Sequence, residues 1–197
     1  VIANTEEYNG SSWTAGGNLP AVKRGNAGAG TQTAGLSFGG TPGGTDTNEY
    51  NGTSWTTGGA MTNGRFYLAG CGTQTAALAI AGSGPSNKTE EYNGSSWTNG
   101  GNLNTGRRHL AAAGITTAAL AFGGDTPPSG SPGSTPTEQY DGSSWTNTTS
   151  MSVARFSFGG AGIQTAALAF GGQGPPNTAA TEEFTGAGPV TVTISGS

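Results

Sequence analysis

The stretch TEEYNGSSWT at residues 5–14 returns unchanged at 89–98 and as TEQYDGSSWT at 137–146. Asn-Gly or Asp-Gly stands between two short runs, each carrying an aromatic residue. Those dipeptides supply the positive φ angles of a tight hairpin turn. The stretch therefore reads as a two-strand hairpin. A second motif recurs beside it: TQTAGLSFGG at 31–40, TQTAALAIAG at 73–82, TTAALAFGG at 116–124 and IQTAALAFGG at 163–172. Its Leu and Phe lie two residues apart, the period of a strand. Its Gly pair can adopt the φ > 0 needed to turn the chain.

These motifs keep one beat. Trp13, Trp55, Trp97 and Trp145 are 42, 42 and 48 residues apart, and Tyr8, Tyr50, Tyr92, Tyr140 and Phe184 follow the same rhythm. Arg24, Arg65, Arg107 and Arg155 open a further segment, RFYLAGCG, RRHLAAAG or RFSFGGAG in the last three units, crowded with Gly and Ala. Small residues suit an inner strand where neighbours approach closely. Each unit thus holds four short strands: the segment after Arg, TAALAFGG, TEEY and SSWT. Pro or Gly interrupts every window long enough for a helix. Four strands per unit and a period in the forties predict an all-β β-propeller of four to five four-stranded blades.

The motif set resembles the kelch repeat. The resemblance rests on an Arg before the inner strand, a hydrophobic strand ending in Gly-Gly, a variable loop, a Tyr, and a Trp five to six residues later. Residues 24–56, 65–98 and 107–146 match along their length, most clearly at Arg107, Gly123, Gly124, Tyr140 and Trp145. Ala81-Gly82 replaces one Gly pair, and the last unit has Phe184 for Tyr and no Trp. The wording of EEYNGSSWT and TQTAALAFGG is also similar to kelch-type repeats in virion proteins of marine phages.

The expected organisation is one repeat domain, 1–197, with a half-unit at 1–14 and units at 24–56, 65–98, 107–146 and 155–197. Two closures are open. The first half-unit can pair with 155–172 to make four blades, leaving TEEF and VTVTIS over. Alternatively, TEEF and VTVTIS finish the last unit and leave an unpaired half. The alternation Val190-Thr191-Val192-Thr193-Ile194 favours the second. An unpaired half would present open strand edges through which copies could associate.

Composition narrows the function. Charged residues are 9% of the chain against a usual ~25%, and Gly supplies 38 of 197 residues. The pI near 4.8 lacks the basic footprint of a nucleic-acid binder. No apolar run suits a membrane helix, so no insertion is expected. No basic segment leads into an apolar stretch, so no secretory signal is visible. The start at Val1 implies a missing start methionine or upstream segment. One Cys excludes an internal disulfide, and one His makes a catalytic triad or a His-rich metal site unexpected.

Copper oxidase chemistry, which kelch propellers suggest, needs several His ligands and a Tyr–Cys pair; His109 and Cys71 are too few. No metal, cofactor or catalytic residue is expected. The recurring Trp, Arg and Tyr read as structural anchors between blades rather than a sugar platform. The Arg series is expected to pair with Glu7, Glu49, Glu91 and Glu138 between blades, or to cap backbone carbonyls. Glu6 and Glu7, like Glu90 and Glu91, should face opposite sides. Asn9, Asn51, Asn93, Asn87 and Asn147 fit the glycosylation sequon, but Asp141 takes the same place in the fourth hairpin, so turn formation is the shared task.

The units differ in the loops 41–47, 83–88, 125–136 and 173–180. The third is the longest, and its Asp125, Thr126, Ser129, Ser131, Ser134 and Thr135 form the candidate binding loop. The expected function is a non-enzymatic structural or binding module in a virion or outside the cell, as in a phage tail fibre, tail-associated or decoration protein. Its partners would be other virion chains or a host-surface glycan or protein. The rival readings are an extracellular carbohydrate-binding or carbohydrate-active protein and a kelch adaptor for protein–protein interaction.

Overall fold

The computed structural model describes residues 2–83, 86–126, 132–174, 176–186 and 189–192. It opens with a hairpin, β1 (Glu6–Tyr8) and β2 (Trp13–Ala15). Four antiparallel sheets follow, each built from four consecutive strands. The first holds β3 (Arg24–Thr31), β4 (Ala34–Thr41), β5 (Thr47–Tyr50) and β6 (Trp55–Thr57). The second holds β7 (Ala69–Thr73), β8 (Ala76–Ile80), β9 (Thr89–Tyr92) and β10 (Trp97–Asn99). The third holds β11 (Ala111–Ile115), β12 (Ala118–Phe122), β13 (Thr137–Tyr140) and β14 (Trp145–Thr148). The fourth holds β15 (Gly159–Ile163), β16 (Ala166–Phe170), β17 (Thr181–Phe184) and β18 (Pro189–Val192). The chain is a four-bladed β-propeller. No helix long and apolar enough to cross a membrane occurs among the described residues.

The first strands of the blades pack in series at the centre, β3 on β7, β7 on β11 and β11 on β15. Their composition explains this. A Cβ on Gly70 would lie 2.6 Å from the Phe38 ring and 2.8 Å from the Gly28 carbonyl oxygen. Only a residue without one lets β7 sit this close to the blade before it. Above the centre, Leu and Phe or Ile of the second strands form the apolar layers between blades. Leu36, Phe38, Leu78, Ile80, Leu120 and Phe122 are all buried. The seam between first and last blade is open. Phe170, the counterpart of Phe122, is 46% exposed against 3%, and Leu168 is also exposed.

The tight turns form as the hairpin sequence predicts. The Asn51 side-chain oxygen accepts from the amides of Thr53 and Ser54, both at 3.0 Å. Asn9, Asn93 and Asp141 do the same in their hairpins. These donors hold the Asp141 carboxyl down at about 2.

Adjacent glutamates on a strand serve opposite sides, as the two-residue period requires. The inward one is buried under its own blade's arginine: Arg65–Glu90 at 2.9 Å, Arg107–Glu138 at 2.9 Å and Arg155–Glu182 at 2.8 Å. Each guanidinium also donates to carbonyls that end the second strand, such as Ala81 O and Gly123 O at 3.0 Å. This corrects the expected pairing. Of the predicted series Glu7, Glu49, Glu91 and Glu138, Glu138 is the one that forms an ion pair with an anchor arginine among the described residues. Glu7, Glu49 and Glu91 instead accept a hydrogen bond from the phenol of the following blade: Tyr50, Tyr92 and Tyr140.

Arg24 also departs from expectation. It is exposed, and Lys23 holds the buried position, donating at 2.5 Å to Pro42 O and to Asp46 Oδ2. Lys23 lies 42 residues before Arg65, on the beat of the tryptophans. Asn48 replaces the inward glutamate in this blade, so the pair is built from different residues.

The tyrosines make the fold sensitive to alkali. Burial, then the hydrogen bond to the neighbouring glutamate, push the Tyr92 and Tyr140 phenols up to about 12. Their folded values lie above the ordinary 10.0, so the folded state holds more protons. That stability is intact below pH 10 and is lost as the pH rises towards 12. Melting temperatures are expected to fall across this window. The fall should be shallower in a Tyr92→Phe/Tyr140→Phe double variant.

Candidate functional site

The two residues after each buried cation vary while their surroundings repeat. They are Arg24-Gly25, Phe66-Tyr67, Arg108-His109 and Phe156-Ser157. The second of each pair has positive φ: Gly25 at 64°, Tyr67 at 57°, His109 at 54° and Ser157 at 50°. Three non-glycine residues in the left-handed region are held by hydrogen bonds between blades. Tyr67 N donates to Gly25 O at 2.7 Å, His109 N to Tyr67 O at 2.9 Å and Ser157 N to His109 O at 2.9 Å. One residue per blade is thus stitched to the next at the mouth of the inner strands. Such strain marks a position that its surroundings over-determine.

The first of each pair is joined to the start of a variable loop. Arg24 is paired with Thr41, Arg108 with Asp125 and Phe156 with Gln173, and Ser83 N donates to Phe66 O at 2.7 Å. The variable pairs and the variable loops therefore occupy the same end of the propeller. There the Tyr67 and His109 rings stack at 4.1 Å, Phe66 meets Tyr67 at 5.0 Å, and Phe156 lies 6.1 Å from His109. Phe66 is exposed, and Tyr67, Arg108, His109 and Phe156 are half-buried.

Asp125 organises this face from beneath. Its carboxylate is buried, 3.1 Å from Arg108 Nε and 2.9 Å from His109 Nδ1. This candidate loop residue thus supports the two side chains from below. Ser134 is also internal in role, donating to Gly124 O at 2.9 Å, and the Thr135 carbonyl accepts from Met151 N at 2.9 Å. Thr126 is half-buried at the start of the loop, and Ser129 and Ser131 lie outside the described residues. Phe66, Tyr67, Arg108 and Phe156 were missed as candidates. The signal was present as a column of variation directly after the anchor in otherwise matching units.

Among the described residues no group of three or more His, Cys, Asp or Glu could hold a metal ion. Cys71 lies in the core, where burial pushes its thiol up to about 12. Trp97 and Trp145 are buried between blades. Their indole Nε1 atoms donate at 2.9 Å to Thr47 and Thr89 of the preceding blade. Trp55 is half-buried and Trp13 is 65% exposed, as is much of Tyr8, because among the described residues no complete blade packs in front of them.

No family model matches the chain, and no curated protein matches it.

Proposed function

We propose that this protein is a non-enzymatic binding module. It uses the variable end of a kelch-type propeller to hold an anionic glycan, or an acidic sugar-bearing protein, on a host surface. The observation that carries the reading is the placement of Arg24, Phe66, Arg108 and Phe156 at one equivalent position around that end, beside all four variable loops. Aromatic faces cover the apolar sides of sugar rings. Guanidinium forks pair with carboxylate or sulfate groups. The setting we assign is a virion or the extracellular space, in keeping with the resemblance of the repeats to phage virion proteins.

A glycan array carrying neutral, carboxylated and sulfated sugars tests this. Binding to the anionic set is expected, weakened about tenfold or more by Phe66→Ala or Arg24→Ala, a loss of about 1.4 kcal/mol. Both residues are exposed, so melting temperatures should stay unchanged. Equal binding by both variants, or a preference for neutral sugars, would refute the assignment. Glycosidase or oxidase turnover would refute the non-enzymatic reading.

A further inference from the structure

We propose that the groove between the opening hairpin and the first blade is a docking slot for an antiparallel strand pair of the repeat's own inner type. Such a pair begins with an arginine, runs through small residues, and returns with alternating Leu and Phe or Ile. The hairpin β1–β2 occupies the place of the outer half of a blade. It supports the first blade as a blade would: Trp55 Nε1 donates to Thr5 Oγ1 at 2.8 Å, and Tyr50 bonds to Glu7. No inner half stands beside it. A groove of about 380 Å³ lies there, lined in part by Glu6, Tyr8, Gly28, Gln32, Leu36 and Trp55.

Four features of this groove lack what the other blades supply. Glu6 sits in the register of Glu90, opposite Ala15 as Glu90 is opposite Asn99. Glu90, Glu138 and Glu182 are buried under arginines; Glu6 is exposed and has no ion-pair partner among the described residues. Trp97 and Trp145 are buried against the preceding blade, Trp97 with the Phe38 ring at 4.9 Å, whereas Trp55 is half-buried and meets only its own Tyr50 ring among the described residues. Gln74 donates to two carbonyls of the blade before it, at 3.0 and 2.6 Å, and Gln164 does so at 3.2 and 2.6 Å. Gln32, in the same place, makes no side-chain hydrogen bond among the described residues. Finally, β1 pairs only with β2, whereas β5, β9, β13 and β17 each pair on both sides. One arginine-bearing strand pair added to the edge of β1 would answer all four.

The described strands do not suit the slot. Every inner pair is already joined to an outer pair. The fourth blade could release its pair only if the hairpin replaced β17–β18 beside the third blade. That exchange meets a steric bar. Where a Tyr-bearing hairpin packs on a preceding segment, two glycines receive it. A Cβ on Gly58 would lie 2.8 Å from the Tyr92 hydroxyl, and one on Gly59 would lie 2.0 Å from Ser95 O. In the third blade these positions are Thr148 and Thr149, opposite a unit with Phe184 in place of Tyr. The occupant is therefore a strand pair from outside residues 1–197, not residues 155–172 of this chain or of a second copy.

The test adds a synthetic peptide of sequence RRHLAAAGITTAALAFGG, residues 107–124, to the whole protein. Tryptophan fluorescence and amide hydrogen exchange report the result. Saturable binding is expected, with new protection at Glu6–Tyr8. It should weaken about tenfold or more for the Glu6→Gln variant and for a peptide with its first Arg replaced by Ser. Glu6 is exposed, so an unchanged melting temperature verifies the variant's fold. Absence of saturable binding, equal affinity of Glu6→Gln, or protection confined to other strands would overturn the proposal. Self-association of the protein alone that Glu6→Gln abolishes would put a second copy in the slot and overturn the choice of occupant.

Discussion

Arg107→Met is expected to lower the unfolding free energy by about 3–5 kcal/mol. The guanidinium is buried and spans the third blade. It donates to Gly123 O at 3.0 Å, Pro136 O at 2.5 Å and Glu138 Oε1 at 2.9 Å. Methionine fills much of the same space but leaves Glu138 charged, buried and without its counter-ion. The two carbonyls, which end β12 and begin β13, lose their donor as well. The double variant Arg107→Met/Glu138→Leu should regain much of the loss, because two apolar side chains can replace a buried pair. Arg24→Met should change stability by no more than about 0.5 kcal/mol, the usual range for a surface position. Urea denaturation of the three variants measures all of this. A large loss for Arg24→Met would restore Arg24 as the first blade's anchor and displace Lys23.

Trp97→Ala should cost a similar amount, about 3–5 kcal/mol. The indole lies between Phe38 of the preceding blade and Tyr92 of its own, both at 4.9 Å, and its N–H reaches Thr47. Alanine removes the ring from both contacts, and two rigid sheets cannot close over the gap. Trp13 occupies the same place in the hairpin motif, yet Trp13→Ala should cost less than about 0.5 kcal/mol, since its ring faces solvent. A loss below about 1 kcal/mol for Trp97→Ala would mean that blade contact does not depend on the tryptophans, against the range for a buried aromatic.

Much of the fold was legible because near-identical units state their pattern several times. Alternation in AALAF, Asn-Gly turns and Gly-rich inner segments each set a local conformation through φ, ψ and side-chain size. Those preferences act within a few residues and hold in any surroundings. The roles of Glu90 and Glu91 were half legible: the two-residue period separates their faces but does not name the partners. Arg24 and Lys23, adjacent and both basic, could be told apart only by the beat of the tryptophans and by burial.

The candidate site was harder to read. Phe66, Tyr67, Arg108, His109 and Phe156 come from three units and meet only because the blades stack around one axis. The exposure of Trp13 and burial of Trp97 follow the same rule. TEEYNGSSWT is one string with one local conformation at 5–14 and 89–98, and local forces treat both copies alike. Burial depends on what stands in front. Among the described residues a full blade packs in front of the second copy and none in front of the first, so long-range packing gives identical residues a core in one place and an open groove in the other.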